Sequence, residues 1–189
     1  PRRRSASLPR MDIKRDFYLG RLVAARGDGF VKIVTGIRRC GKSHLLFGLF
    51  KKFLLKDGVR REDIVEIALD RRKDAGLRDP EALYGFLKRR TSGRRRRVYV
   101  FIDEIQECRR AKGTGRETPE AKAEREQAFY DILNEFRAKA NVDLYVTGSN
   151  SRLLVTDVAT QFRGRGEDIR IHPLSFSEFY PAVGGDKAD

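Results

Sequence analysis

Cysteine is scarce in this 189-residue chain. Cys40 and Cys108 are the two, far apart and without paired spacing, so the sequence supports neither a zinc site nor a secreted disulfide scaffold. A reducing, cytoplasmic setting fits that usage. Long apolar runs are missing too: none approaches about eighteen residues, and no charged, apolar and small-residue leader is present, so nothing here is expected to span a membrane or direct export. Methionine occurs once, at Met11. Acid is in deficit: 41 Lys and Arg face 27 Asp and Glu, for a net charge of +14. The excess lies in short clusters at residues 2–4, 38–39, 60–61, 71–73, 88–90 and 94–97. Such a chain attracts anions, with nucleic acid one candidate partner. The clusters carry little aromatic interleaving and no recognisable nucleic-acid-reading motif, so solvated surface charge is the plainer account.

The length is that of one domain, which buries roughly 70% of its unfolded surface. Residues 1–10, rich in Arg, Ser and Pro with the single Leu8, are expected to form a disordered basic tail, with Met11 a candidate natural start. Residues 11–180 are expected to fold, and 181–189, with Gly184-Gly185-Asp186-Lys187, read as a linker toward a further region.

Between these ends, apolar strands alternate with helical segments. Strands are predicted at 30–35, 64–69, 98–102, 143–147 and 168–171. Helices are predicted at 13–25, with Ile13, Phe17, Leu19, Leu22 and Val23 on one face, from 45 onward, at 80–90 and at 124–140. This is the βαβ rhythm of a parallel sheet, and the strands are nearly continuous in apolar residues, as both-face burial requires. Residues 109–122, rich in Gly, Thr, Glu and basic side chains, read as an exposed loop inserted without chemistry of its own.

The chemistry begins at Gly36-Ile37-Arg38-Arg39-Cys40-Gly41-Lys42-Ser43, which fits the phosphate-loop pattern GxxxxGK[ST] at every fixed position. A strand enters it and a helix leaves it from His44 onward. Gly36 and Gly41 permit a compact loop with inward N–H groups, and the helix adds its unpaired N–H groups and positive dipole end. The whole run, Gly36 to His44, is therefore the candidate ATP-binding segment. Lys42 would reach the β and γ phosphates and Ser43 would ligate Mg²⁺. Cys40, inside the loop, raises the idea of oxidation that blocks nucleotide; a small residue that merely fits the loop is the simpler account.

A second strand ends in Asp103-Glu104. Asp103 can hold Mg²⁺, and Glu104 can take a proton from a water aimed at the γ phosphate; a turn with two capping acids is the alternative. Leu144 to Asn150 repeats the design, and Ser149 or Asn150 can bond the γ phosphate or the attacking water, or cap the helix that follows. Gln161-Phe162-Arg163-Gly164-Arg165-Gly166 carries Arg163 and Arg165 on a Gly-flanked turn. There an arginine can reach a nucleotide on a neighbouring subunit, or pair with Glu167 or Asp168 at the surface.

In this order, Ile13-Lys14-Arg15-Asp16, the loop with its Arg38-Arg39 insert, Ile102-Asp103-Glu104-Ile105-Gln106, Thr147-Gly148-Ser149-Asn150-Ser151, Gly164-Arg165 and Pro173-Leu174-Ser175-Phe176-Ser177-Glu178-Phe179 resemble the bacterial and archaeal AAA+ type ATPases. The resemblance runs from about Met11 to Tyr180. It implies a three-layer α/β P-loop NTPase core with a five-stranded, mainly parallel sheet, Mg²⁺-dependent ATP hydrolysis coupled to a conformational change, and the roles already given to Lys42, Ser43, Asp103 and Glu104. It further implies Ser149 or Asn150 as sensor and Arg165, or Arg163, as an arginine finger that acts through self-association. Members of that family continue past the Pro173 segment into winged-helix-like and nuclease-like regions. An effector region beyond Asp189 is the expectation that follows.

Overall fold

The computed structural model describes residues 13–109, 118–148 and 166–182. Five stretches become strands: the largely apolar β1 Val31–Thr35, β2 Ile64–Ala68, β3 Val98–Asp103 and β4 Val142–Thr147, and the polar β5 Gly166–Arg170, in which only Ile169 is buried. They form one sheet in the order β2-β3-β4-β1-β5, every pairing parallel. The expected α/β architecture is present. Strand periodicity sends alternate side chains to opposite faces, and each face has its own core. Val31, Ile33, Val100, Ile102, Leu144 and Val146 pack with Leu83, Leu87, Phe129, Leu133 and Phe136 on one side. Val34, Phe101, Tyr145 and Ile169 pack with Tyr18, Leu22, Leu45, Phe50 and Leu54 on the other. Each such buried side chain contributes about 1.5–3 kcal/mol.

The helices differ from the sequence expectation mainly at their ends. The first, α1, spans Asp16–Ala24 and buries Tyr18 and Leu22, a pair one helical turn apart. Phe17, expected on the inner face, is 72% exposed; it lies about 100° round the helix from Tyr18, so the two cannot both face the sheet. The helix after the phosphate-loop segment opens as a π-helical stretch, His44–Phe50, and continues as α2, Lys51–Lys56. In α3, Pro80–Thr91, Asp79 caps the start by accepting from the Ala82 N–H. Thr118 does the same for α4, Pro119–Arg137, through the Ala121 N–H. Residues 119–122, expected within the loop, are therefore the first turn of α4, because a Thr cap followed by Pro nucleates a helix there. The last helix, α5, spans Phe176–Ala182. The predicted tail at 1–10, the loop residues 110–117 and the linker residues 183–189 lie outside the described residues.

Sheet order decides where chemistry gathers. With β3, β4 and β1 adjacent, Asp103, Thr147 and Thr35 end neighbouring strands on one rim, and residues 36–43 leave β1 at that same rim. Open parallel sheets bind ligands outside such carboxyl ends.

Candidate functional site

The loop of residues 36–43 is shaped by backbone that side chains disfavour. Gly36 has φ +151°, and a Cβ there would stand 2.4 Å from the Ile171 carbonyl oxygen and 2.7 Å from Cys40 Sγ. Gly41 has φ +97° and Arg39, unusually for a residue with a Cβ, φ +66°. The first helical bond past the loop runs from the Leu45 N–H to the Gly41 carbonyl, 2.8 Å. The N–H groups of Lys42, Ser43 and His44 precede it, the arrangement that receives an anion. Ile37, Arg38, Arg39 and His44 are exposed, whereas Cys40 is buried.

Lys42 is 4% exposed, and its ammonium donates to the carbonyls of Gly36 (3.0 Å) and Ile37 (2.9 Å). Among the described residues it forms no ion pair. Another buried lysine among the described residues is a useful contrast. Lys32, on β1, is ion-paired at 2.6 Å with both Asp143 and Asp28, at the end of the strand away from the loop. A buried cation with neutral partners only is costly, so Lys42, unlike Lys32, makes its pocket one that favours an anion.

Asp103 faces this loop from β3. It is 3% exposed and accepts from the Thr147 hydroxyl. Burial pushes its carboxyl above the usual aspartate range, against the opposing influence of the Thr147 and Ser43 hydroxyls and with a further push from Glu104 and Asp70. Glu104 follows with φ +56°, a turn that carries its side chain off the strand. Its N–H donates to Thr147 Oγ1 at 3.1 Å and its carboxylate accepts from the Gln106 amide. One hydroxyl, that of Thr147, thus ties both acids. A serine hydroxyl beside a carboxylate is a hard-oxygen donor pair suited to Mg²⁺, which takes few protein ligands and keeps water and phosphate oxygens.

The structure therefore brings Gly36, Gly41, Lys42, Ser43, Asp103 and Glu104 to one rim. Ser149, Asn150, Arg163 and Arg165 lie outside the described residues. Their neighbours are placed: the Gly148 N–H reaches the Val34 carbonyl at 3.4 Å, at the loop end of the sheet, whereas Gly166 starts β5 opposite Val31, at the far end. Sequence reasoning missed three contributors. Thr147 entered only as part of a motif, and strand register alone sets its hydroxyl between the acids. Arg15 and Glu178 were quoted without a role. Yet Arg15 is 1% exposed and donates to the Cys40 carbonyl, 2.7 Å, while Glu178 pairs with it from α5 at 3.0 Å.

Comparison with known proteins accords with this geometry. Residues 28–180 match the AAA domain family. An uncharacterized protein of Haemophilus influenzae is 29% identical over 174 residues, covering 92% of this chain and 39% of the relative. Among solved structures, C. elegans PCH-2 superposes with a TM-score of 0.59 at 14% identity, over 87% of this chain and 44% of that one. S. cerevisiae Hsp104, solved in complex with casein, gives 0.59 at 17% identity, over 92% and 29%. This chain spans less than half of each of them, and the two structural likenesses speak to the fold. With 28–180 matched and the strand order and loop in place, the chain belongs to the AAA domain family, within the AAA+ superfamily of P-loop ATPases.

Proposed function

We propose that this domain binds ATP with Mg²⁺ and hydrolyses it, and that the cycle drives or times a conformational change. The observation that carries the reading is the meeting of two distant segments at one rim: Ser43, next to the buried Lys42 with its neutral partners, lies where its hydroxyl favours the ionised form of Asp103, and Glu104 stands one residue beyond. Gly36 to His44 cradle the polyphosphate with backbone N–H groups, and Lys42 exchanges its carbonyl partners for phosphate oxygens. Ser43 and Asp103 are the residues that hold Mg²⁺, which when bound neutralises charge on the phosphate oxygens. Glu104 accepts the proton of the attacking water on its carboxylate, which Gln106 orients. Ser149 or Asn150, which follow Gly148 at the loop end of β4, are placed in sequence to sense the γ phosphate.

Arg163 and Arg165 are proposed to serve a neighbouring subunit. Arg165 is bonded to Gly166, which pairs with Val31, and β1 rises about 13 Å from there to the loop. That offset supports action in trans over action on the same chain's nucleotide.

The test is a pair of variants. Lys42→Ala is expected to abolish ATP binding, whereas Glu104→Gln is expected to bind ATP and turn it over about 100-fold to 10,000-fold more slowly. Turnover of the Gln variant equal to the parent's removes Glu104 from the mechanism.

A further inference from the structure

We propose that Arg15 is a positioning residue for the phosphate loop, and that it makes the loop's anion-accepting form conditional on docking of residues 172–182. The proposal rests on the nucleotide reading above and adds a mode of regulation to that site.

Arg15 is among the largest fully enclosed side chains, at 1% exposure. Its guanidinium is divided between the loop on one side and residues 172–178 on the other. On one side Nη1 donates to the Cys40 carbonyl at 2.7 Å. On the other, Nη2 donates to the His172 carbonyl at 2.8 Å, and Nε and Nη2 reach the two carboxylate oxygens of Glu178 at 3.0 and 3.4 Å. Tyr18 completes the clamp: its ring lies under the guanidinium, 4.5 Å from centroid to Cζ, and its hydroxyl accepts from the His172 N–H at 3.2 Å. Glu178 is itself held by the Ser175 N–H (2.9 Å) and hydroxyl (3.2 Å). Three segments far apart in sequence share this one cation.

The consequence for the loop follows from peptide planarity. The Cys40 carbonyl and the Gly41 N–H belong to one planar trans unit and point in opposite directions. A carbonyl fixed on Arg15 therefore fixes the direction of the Gly41 N–H, one of the loop's donors. Gly41 would otherwise leave that plane free to rotate, since glycine populates both signs of φ. It is the positive φ of +97° that requires glycine here, since a Cβ on Gly41 would make ordinary contact with Arg15 Nη1 at 3.5 Å.

Coupling to 172–182 arises because Glu178 is the only ion-pair partner of Arg15 among the described residues. If the segment undocks, a buried cation loses its counter-charge and cannot remain where it is, and the Cys40–Gly41 plane is released. By reciprocity, a nucleotide that fixes the plane favours the docked segment. The two-state element is the peptide plane, and both ends bias it.

The chain contains no tryptophan, so F176W gives a single reporter on α5, where Phe176 is 75% exposed and stacks on Tyr180. Binding of a fluorescent ATP analogue with Mg²⁺ is measured by anisotropy for the parent, R15A, R15K, E178Q and the R15A/E178Q double variant, with melting temperatures alongside. The expected result is a loss of affinity of about tenfold in each single variant, no rescue by R15K, which cannot span both partners, and a double variant no weaker than the worse single. In F176W, nucleotide shifts the emission; in F176W/R15A at saturating nucleotide it does not. Lower melting temperatures with unchanged affinity and an intact emission shift would reduce Arg15 to a structural residue and overturn the proposal. If the parent binds no nucleotide, the ATP reading falls and this inference with it. If the parent binds and the variants match it, only this inference falls.

Discussion

At the residue scale, the most informative contrast is between two buried lysines with opposite surroundings. Lys32 is neutralised by Asp143 and Asp28, and Asp143 also accepts from the Tyr145 hydroxyl at 3.0 Å; that group is structural. Lys42 has neutral partners, the Gly36 and Ile37 carbonyls and the Cys40 sulfur, and is the lysine proposed to meet phosphate. Thr147 shows how little separates the two kinds of role. Its hydroxyl donates to Asp103 and accepts from the Glu104 N–H, so Thr147→Val, nearly isosteric, leaves both groups without that partner. The expected cost is about 1–3 kcal/mol of stability, read from chemical denaturation. Turnover is expected to fall by about tenfold to a hundredfold through displacement of Glu104, with KM for ATP changed much less. A variant that unfolds more readily but hydrolyses at the parent rate would confine Thr147 to a structural part.

At the element scale, α1 and α5 are small but connect distant parts. Neither is long enough to be stable alone; each is held by what it buries, Tyr18 and Leu22 for α1 and the Glu178–Arg15 pair for α5. The pair gives docking of 172–182 a pH dependence with a definite sign. Burial pushes the Glu178 carboxyl up, but the Ser175 N–H and the Arg15 guanidinium outweigh it and hold the carboxyl below its ordinary value of 4.5. A carboxyl depressed in the folded state adds stability that is fully present above that value and is lost as pH falls through the lower, folded one. F176W emission is therefore expected to be flat from neutral pH down to about 4.5 and to change below it. Glu178→Gln, which cannot titrate, is expected to lack that step; an identical step in the Gln variant would assign it to other carboxyls.

At the scale of the whole molecule, the two ends of the sheet differ. The loop, Asp103 and Glu104 occupy one rim, and the Gly166 start of β5 lies at the other. On the proposed reading, Arg163 and Arg165, which precede that start in sequence, serve a neighbour's nucleotide. Specific ATPase activity is accordingly expected to rise with protein concentration, and Arg165→Ala to lower turnover about a thousandfold or more in the assembled state. Activity that stays constant on dilution through the monomer range would dismiss a trans arginine. The large positive charge is partly balanced within the fold: Arg60 and Arg94 pair with Asp63, and Arg61 and Lys51 with Glu66. Those clusters belong in part to the architecture of the β2 side of the sheet. Among the described residues no helix is long and apolar enough to cross a membrane.

The sequence by itself determined the strands, the phosphate loop and the identity of the paired acids. These are local properties: apolar runs, glycines where φ must be positive, and Asp-Glu after a buried strand all act on their immediate neighbours. It misjudged where a local signal met a tertiary one. Phe17 scored as apolar and yet faces outward because Tyr18 and Leu22 claim the sheet, and the cap at Thr118 was lost in a polar stretch that read as loop. Lys32 lies within a strand predicted as apolar, and nothing in its neighbours announces Asp143, 111 residues away. Only the tertiary structure decided that Thr147 would join Asp103 to Glu104 and that Arg15 would bridge Cys40 and Glu178. Those contacts span 25 to 163 residues, and they exist because the parallel order β3-β4-β1 and the return of 172–182 to α1 bring together groups that share no local pattern.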